Sequence, residues 1–225
     1  MSNDHLSHTT VVLDLDGTLV DSVPHHVVAW TSAFHDVGLR VASTTIHRAI
    51  GMGGDRLVTH VAGAAAESAV GDDVRSLHDS HFRAGLRSVS ELDGASDLLT
   101  TLAERGHQLV LASSSEADLV DELLDRVGAR ARLDVVVSSS DAERSKPAAD
   151  IVEAAVARVG PGPAIVIGDA VWDVLAADAA SLPCIGLGSG GIDSHHLRAA
   201  GAVAVYDGPR DLLDQLGDSP LARRT

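Results

Sequence analysis

The sequence predicts an α/β protein: a doubly wound parallel sheet with an all-helical insert. Three observations predict it. Short unbroken runs of Val, Ile and Leu recur along most of the chain without the polar alternation of a strand wetted on one face. Segments with apolar residues at helical spacing alternate with those runs, the order that builds a parallel sheet wrapped by helices. A stretch after the first run breaks the alternation and reads as helix throughout.

The first strand is predicted over residues 10–15. From Ser22 to about Ser88 no run reads as a strand. Val23, Val27, Trp30, Phe34 and Val37 recur at steps of four and three, which lays down one apolar helix face. Leu57, Val61 and Ala65, then Val74, Leu77, His78 and Phe82, predict further helices. The sheet is expected to resume near residues 92–94. A helix on Leu98, Leu99 and Leu102 then ends at Gly106, followed by a strand at residues 108–112. Leu119, Val120, Leu123, Leu124 and Val127 form the next helix, stopped by Gly128 where a left-handed terminator belongs. A strand at residues 133–137 leads to a helix on Ile151, Val152, Ala155, Val156 and Val159. Strands at residues 164–167, 184–187 and 202–205 complete the sheet. The expected division is an α/β core of residues 1–21 and 89–225 and a helical insert of residues 22–88. Ligands of such sheets bind beyond the carboxyl ends of the strands, and an insert leaving the first strand's end sits over that edge.

Composition narrows the function. The 225 residues carry 17 Lys and Arg against 32 Asp and Glu, a net charge of −15. Nucleic acid is excluded as a partner, since so acidic a surface repels a polyanion, and with 2% aromatic residues base-stacking platforms are scarce. The single cysteine, Cys184, forms no internal disulfide and is expected to be buried in a strand. A polar start at residues 1–8 lacks a signal-peptide pattern, and no run reaches the ~18 apolar residues of a membrane span, so a cytoplasmic protein with no membrane partner is expected.

Four segments carry chemistry. Asp14-Leu15-Asp16-Gly17-Thr18 ends the first strand. A plain turn explains Asp16 and Gly17, but Asp14, inside a strand, is costly unless paired or metal-bound. Ser113-Ser114-Ser115-Glu116 follows the second strand and fits a helix capping box on Ser113 and Glu116; free amides at such a helix start also receive phosphate. Lys146-Pro147 is expected to open the next helix, with Pro147 near its first position. Gly168-Asp169 and Asp173 offer two carboxylates four residues apart, suited to a hard cation such as Mg²⁺. Each has a structural reading taken singly. Together they converge on one sheet edge, where carboxylates, a hydroxyl and a lysine form a phosphoryl-transfer site around a divalent cation.

This set resembles the haloacid dehalogenase-like superfamily, and the insert is similar to the cap of its phosphoglycolate phosphatase and β-phosphoglucomutase branch. The resemblance implies a Rossmann-like core with a helical cap and a Mg²⁺-dependent phosphatase acting on a small phosphorylated metabolite, of sugar phosphate or phosphoglycolate type. It implies that Asp14 attacks phosphorus to give an aspartyl-phosphate and that Asp16 is the acid and base. It further implies that Asp14, the Asp16 carbonyl and Asp169 hold Mg²⁺, with Asp173 on or beside the ion, and that Ser113, Ser114 and Lys146 hold the phosphoryl group. The chain departs from the branch at Ala148 and Ala149, where another proline commonly precedes the acid, here Asp150. His26 matches a cap-side histidine of the mutase branch, which keeps a phosphomutase open. The segment from Arg48 to Arg56 falls where the cap reads substrate, with Arg48, Gly51, Gly53 and Arg56 as candidates.

Two rivals come from other classes. Gly186-Leu187-Gly188-Ser189-Gly190-Gly191 with Asp207 downstream has the spacing of an NAD-binding oxidoreductase, although the helix after it would be short. A receiver-like phosphoacceptor module also uses acids, a hydroxyl and a lysine, but has no need of Asp16 or an insert. The 12 His suggest no zinc site: His25-His26 and His195-His196 diverge on a helix, and His78 with His81 lacks a third ligand. Trp30 and Trp172 are read as packing residues.

Overall fold

The computed structural model describes residues 9–222, so the signal-peptide reading of residues 1–8 lies outside the described residues. Six strands form one parallel sheet: β1 (Thr10–Leu13), β2 (Gln108–Ala112), β3 (Val135–Val137), β4 (Ala164–Gly168), β5 (Cys184–Leu187) and β6 (Ala204–Tyr206). Their order across the sheet is β3-β2-β1-β4-β5-β6. Thr10 is in register with Gln108 on one side and Ala164 on the other, which makes β1 the point from which the order runs outward in both directions. A crevice forms at the carboxyl end of such a switch point. Both faces of β1 are dry: Val11 and Leu13 join one core cluster and Val12 the other.

Among the described residues there are ten α-helices: α1 (Val23–Asp36), α2 (Ser43–Ala49), α3 (Gly54–Ala62), α4 (Ala64–Gly85), α5 (Ala95–Glu104), α6 (Ala117–Val127), α7 (Asp150–Val159), α8 (Val171–Ala179), α9 (Ser194–Ala200) and α10 (Pro209–Asp214). Helices α1 to α4 share a third apolar cluster around Trp30, Phe34, Ile46, Leu57 and Val74. At the base of α1 and α4, Ala29, Phe82 and Leu86 pack into a sheet-face cluster with Leu19 and Val89. No helix among the described residues is long and apolar enough to cross a membrane.

Several expectations are corrected. No strand forms at residues 92–94: Glu91 makes an isolated antiparallel bridge to Val20, and Gly94, at φ 80°, caps α5. Strand β1 stops at Leu13, so Asp14 lies just past the strand, although its amide still donates to the Ile167 carbonyl at 2.9 Å. Pro147 does not open a helix; α7 begins at Asp150, and Pro147 sits in the loop before it.

Candidate active site

At the end of β1 the Leu15 carbonyl accepts the amides of Thr18, Leu19 and Val20 at 3.2, 2.8 and 3.1 Å, closing a tight turn. Gly17 supplies the positive φ of 78° that this turn needs. Asp14 and Asp16 are thereby held at the crevice, 5% and 9% exposed. Oδ1 of Asp16 accepts the Ser22 hydroxyl at 2.5 Å and lies 3.1 Å from His26 Nε2, while Oδ2 accepts the Ser115 hydroxyl at 3.1 Å.

Beside it, β4 ends at Gly168, Asp169 follows directly, and α8 starts two residues after Asp169. Asp173, in the first turn of α8, accepts the Ala170 amide through Oδ2 at 3.0 Å. Its Oδ1 stands 2.7 Å from Lys146 Nζ as an ion pair, without hydrogen-bond geometry. The same ammonium pairs with Asp14. Asp169 accepts the Thr18 hydroxyl at 3.3 Å. Gly17 and Gly190 close around the Asp169 carboxylate so tightly that a β-carbon at either would collide with it. The Ser189 hydroxyl fastens this wall by donating to the Gly17 carbonyl at 2.6 Å.

The glycines that suggested a dinucleotide loop therefore have another task. Gly188–Gly190 is a short 3-10 turn around Asp169, the helix after it has seven residues, and one strand follows.

Burial sets the charges. It raises Asp14 to about 7, with Lys146 opposing and Asp173 and Asp16 adding to the rise. It raises Asp169 as well, reinforced by Asp173 and Asp14. For Asp16 burial is outweighed by His26, Ser22 and Ser115, which hold the carboxyl down at about 2. Burial alone would discharge Lys146, but Asp14 and Asp173 more than offset it and keep the ammonium. Three acids, Asp14, Asp169 and Asp173, each bring an oxygen within 4.8 Å of the others. An all-oxygen donor set of three carboxylates gathered in one buried space fits a hard divalent cation.

Ser113 is fully buried, and the capping box predicted on it is absent: α6 begins only at Ala117 with Glu116 as its cap residue, and Ser113 Oγ accepts the Ser115 amide at 3.1 Å. Ser114 and Ser115 line the cleft that opens from Asp14, and the Ser114 hydroxyl is buried without a partner. From the insert, His26 and Gly51 line the same cleft, whereas Gly53, Arg48 and Arg56 do not. Gly53 abuts Ser145, and the Arg48 carbonyl accepts the Trp172 indole at 2.9 Å beside a separate cavity. Trp172 thus bridges insert and core, while Trp30 is buried at 4% exposure.

Sequence reasoning missed Ser22, Arg75 and the link from His26 to His78. His26 Nδ1 lies 3.1 Å from His78 Nε2, and His78 stacks on Trp30 at 4.0 Å. Arg75, His78 and Asp79 all line the cleft from α4; their three- and four-residue spacing, polar within a helix, was the available signal.

A family profile described as haloacid dehalogenase-like hydrolase matches residues 8–181. Phosphoglycolate phosphatase 1 of Pseudomonas aeruginosa is 30% identical over 90% of this chain and 78% of its own. A phosphoglycolate phosphatase of Pseudomonas putida is 29% identical over 92% and 79%. The crystal structure of a hydrolase from Pseudomonas syringae superposes with a TM-score of 0.89 at 33% identity, covering 94% of this chain and 99% of that one.

Proposed function

The chain belongs to the haloacid dehalogenase-like hydrolases, and from that premise we propose that it is a Mg²⁺-dependent phosphatase. On this reading it hydrolyses a small phosphate monoester through an aspartyl-phosphate on Asp14. One observation carries it: Asp14 and Asp169, just past the adjacent ends of β1 and β4, gather with Asp173 of α8 around the charged Lys146, with Asp16 fixed beside them. So dense a set of buried acids is costly unless a cation shares the space, and that cation with Lys146 then supplies the positive charge an anionic substrate needs.

Asp14, Asp169 and Asp173 would hold the cation, with the Asp16 carbonyl, and Mg²⁺ would supply charge neutralisation for the phosphoryl oxygens. Lys146 restrains Asp14 so that one carboxylate oxygen faces phosphorus, and its ammonium draws off charge as the transferring group spreads its own. Ser114 and the amides of the Ser113–Ser115 loop receive phosphoryl oxygens; the Ser114 hydroxyl, buried and unpartnered, is ready for one. The Asp14 oxygen bonds to phosphorus and the ester oxygen departs with the electron pair, taking a proton from Asp16. Asp16 then removes a proton from water, whose oxygen attacks the aspartyl-phosphate and frees Asp14.

In this structure Asp16 is held ionised at about 2. A phosphoryl dianion beside it raises its proton affinity, so Asp16 takes up the proton it must donate only when substrate is present.

Hydrolysis of p-nitrophenyl phosphate tests the reading: Asp14→Asn is expected to remove Mg²⁺-dependent turnover while leaving the far-UV spectrum unchanged. Turnover by Asp14→Asn at a rate near the parent's sinks the mechanism.

A further inference from the structure

The phosphoryl half of the cleft is assigned above, and the leaving alcohol must occupy the other half. Trp30, Met52, Arg75, His78, Glu116 and Leu119 build it, enclosing with the phosphoryl half about 170 Å³. Among the described residues Arg75 is the only arginine or lysine on this cleft, and its charge is already committed. Nη2 donates to Glu67 Oε1 at 2.8 Å and to Asp72 Oδ1 at 2.7 Å, and Nη1 to Glu67 Oε2 at 3.1 Å and the Gly54 carbonyl at 3.2 Å. Swinging Arg75 toward a ligand would break a bidentate pair.

Lys146 is likewise committed, to Asp14 and Asp173. Burial, aided by His26, keeps His78 neutral by holding its ring well below the usual histidine range. The acids on this side are Asp79, answered by Arg83 at 2.9 Å, and Glu116, which is exposed and has no ion pair. A carboxylate or second phosphate on the leaving group would shed water here with no free cation to receive it, and would face Glu116. An uncharged polyol escapes both costs. Trp30, Met52 and Leu119 cover its carbon face, and Glu116 accepts its hydroxyls.

We propose that the leaving groups accepted at this site are uncharged polyhydroxy alcohols of sugar type, and that Glu116 and the committed Arg75 set the enzyme against phosphorylated hydroxy acids. This specificity rests on the phosphatase reading of the same site. It departs from the activity for which the Pseudomonas relatives are named.

Steady-state turnover with Mg²⁺ of glycerol 1-phosphate, a hexose phosphate, phosphoglycolate and p-nitrophenyl phosphate tests it. The expected kcat/KM on the two polyol esters exceeds that on phosphoglycolate by about tenfold or more. Glu116→Lys, which supplies the missing cation at an exposed position, narrows the gap by about threefold or more, and Glu116→Gln narrows it less. A parent enzyme that prefers phosphoglycolate, or a gap that Glu116→Lys leaves unchanged, overturns the proposal. Hydrolysis of p-nitrophenyl phosphate alongside such a result leaves the phosphatase reading standing, whereas no turnover of any ester removes both.

Discussion

Asp14 and Asp16 stand two residues apart and meet opposite electrostatic fates. Burial among other acids lifts Asp14 to about 7, while Asp16, equally buried, is held at about 2 by one histidine and two hydroxyls. For Asp14 the folded value lies above the ordinary carboxyl value of 3.8, so the cation-free fold holds a proton that the unfolded chain has lost. Its contribution to stability is therefore greatest below about 4 and declines as pH rises through about 7. A divalent cation competes for the same carboxylates and must displace that proton. The expected outcome is Mg²⁺ binding that tightens as pH rises from about 5.5 to 8, with proton release. Calorimetric titration in two buffers of different ionisation enthalpy measures both, and an affinity indifferent to pH would contradict the assignment of Asp14 to the cation. These acids were legible in the sequence because a carboxylate at the end of an apolar strand has few cheap explanations. Arg75 was not, since the groups that take up its charge lie beyond its own turn: Glu67 sits two turns away on α4, and the Gly54 carbonyl reaches it only when α3 packs on α4.

At the scale of the element, the parallel strands were legible because burial on both faces leaves unbroken apolar runs. The edge strands β3 and β6 are shorter than their apolar runs, starting at Val135 and Ala204, because each has a single neighbour to pair with. The capping box on Ser113 fails for a backbone reason: the Ser113 amide is taken by the Val137 carbonyl at 3.0 Å, so the residue is still extended and no helix begins there. The segment from Gly186 to Gly191 was misleading because several needs call for glycine. Here the need is room for Asp169, which a β-carbon at Gly190 would strike. Gly190→Ala is accordingly expected to weaken Mg²⁺ binding by about 10–100-fold, the usual penalty for disturbing what orients a metal ligand. Calorimetry reads the affinity and circular dichroism checks that the sheet survives. Unchanged binding would mean that the wall of the site yields without moving Asp169.

Across the whole molecule, the insert is joined to the sheet in two different ways. At its base the joint is apolar, with Ala29, Phe82 and Leu86 packed against Leu19 and Val89. Across the cleft the joints are polar: Ser145 donates to Asp55 at 2.5 Å, Trp172 to the Arg48 carbonyl at 2.9 Å, and His47 Nε2 lies 2.8 Å from the Gly190 carbonyl. Each polar contact contributes about 1 kcal/mol net, because water replaces it when the parts separate, whereas exposing the apolar base would cost several times more. The far side therefore opens more readily than the base, and the insert is expected to swing about residues 21–22 and 88–92 to admit substrate. Pairing Asp55→Cys with Ser145→Cys places two thiols where a 2.5 Å contact now joins the halves, while Cys184 stays buried. Oxidation of that double variant is expected to abolish turnover of p-nitrophenyl phosphate, and a reductant to restore it, with the reduced variant keeping most of the parent's rate. Full turnover by the cross-linked protein would mean that substrate enters without the insert leaving the sheet edge, and Asp16 would then have to be reached past a closed His26 contact.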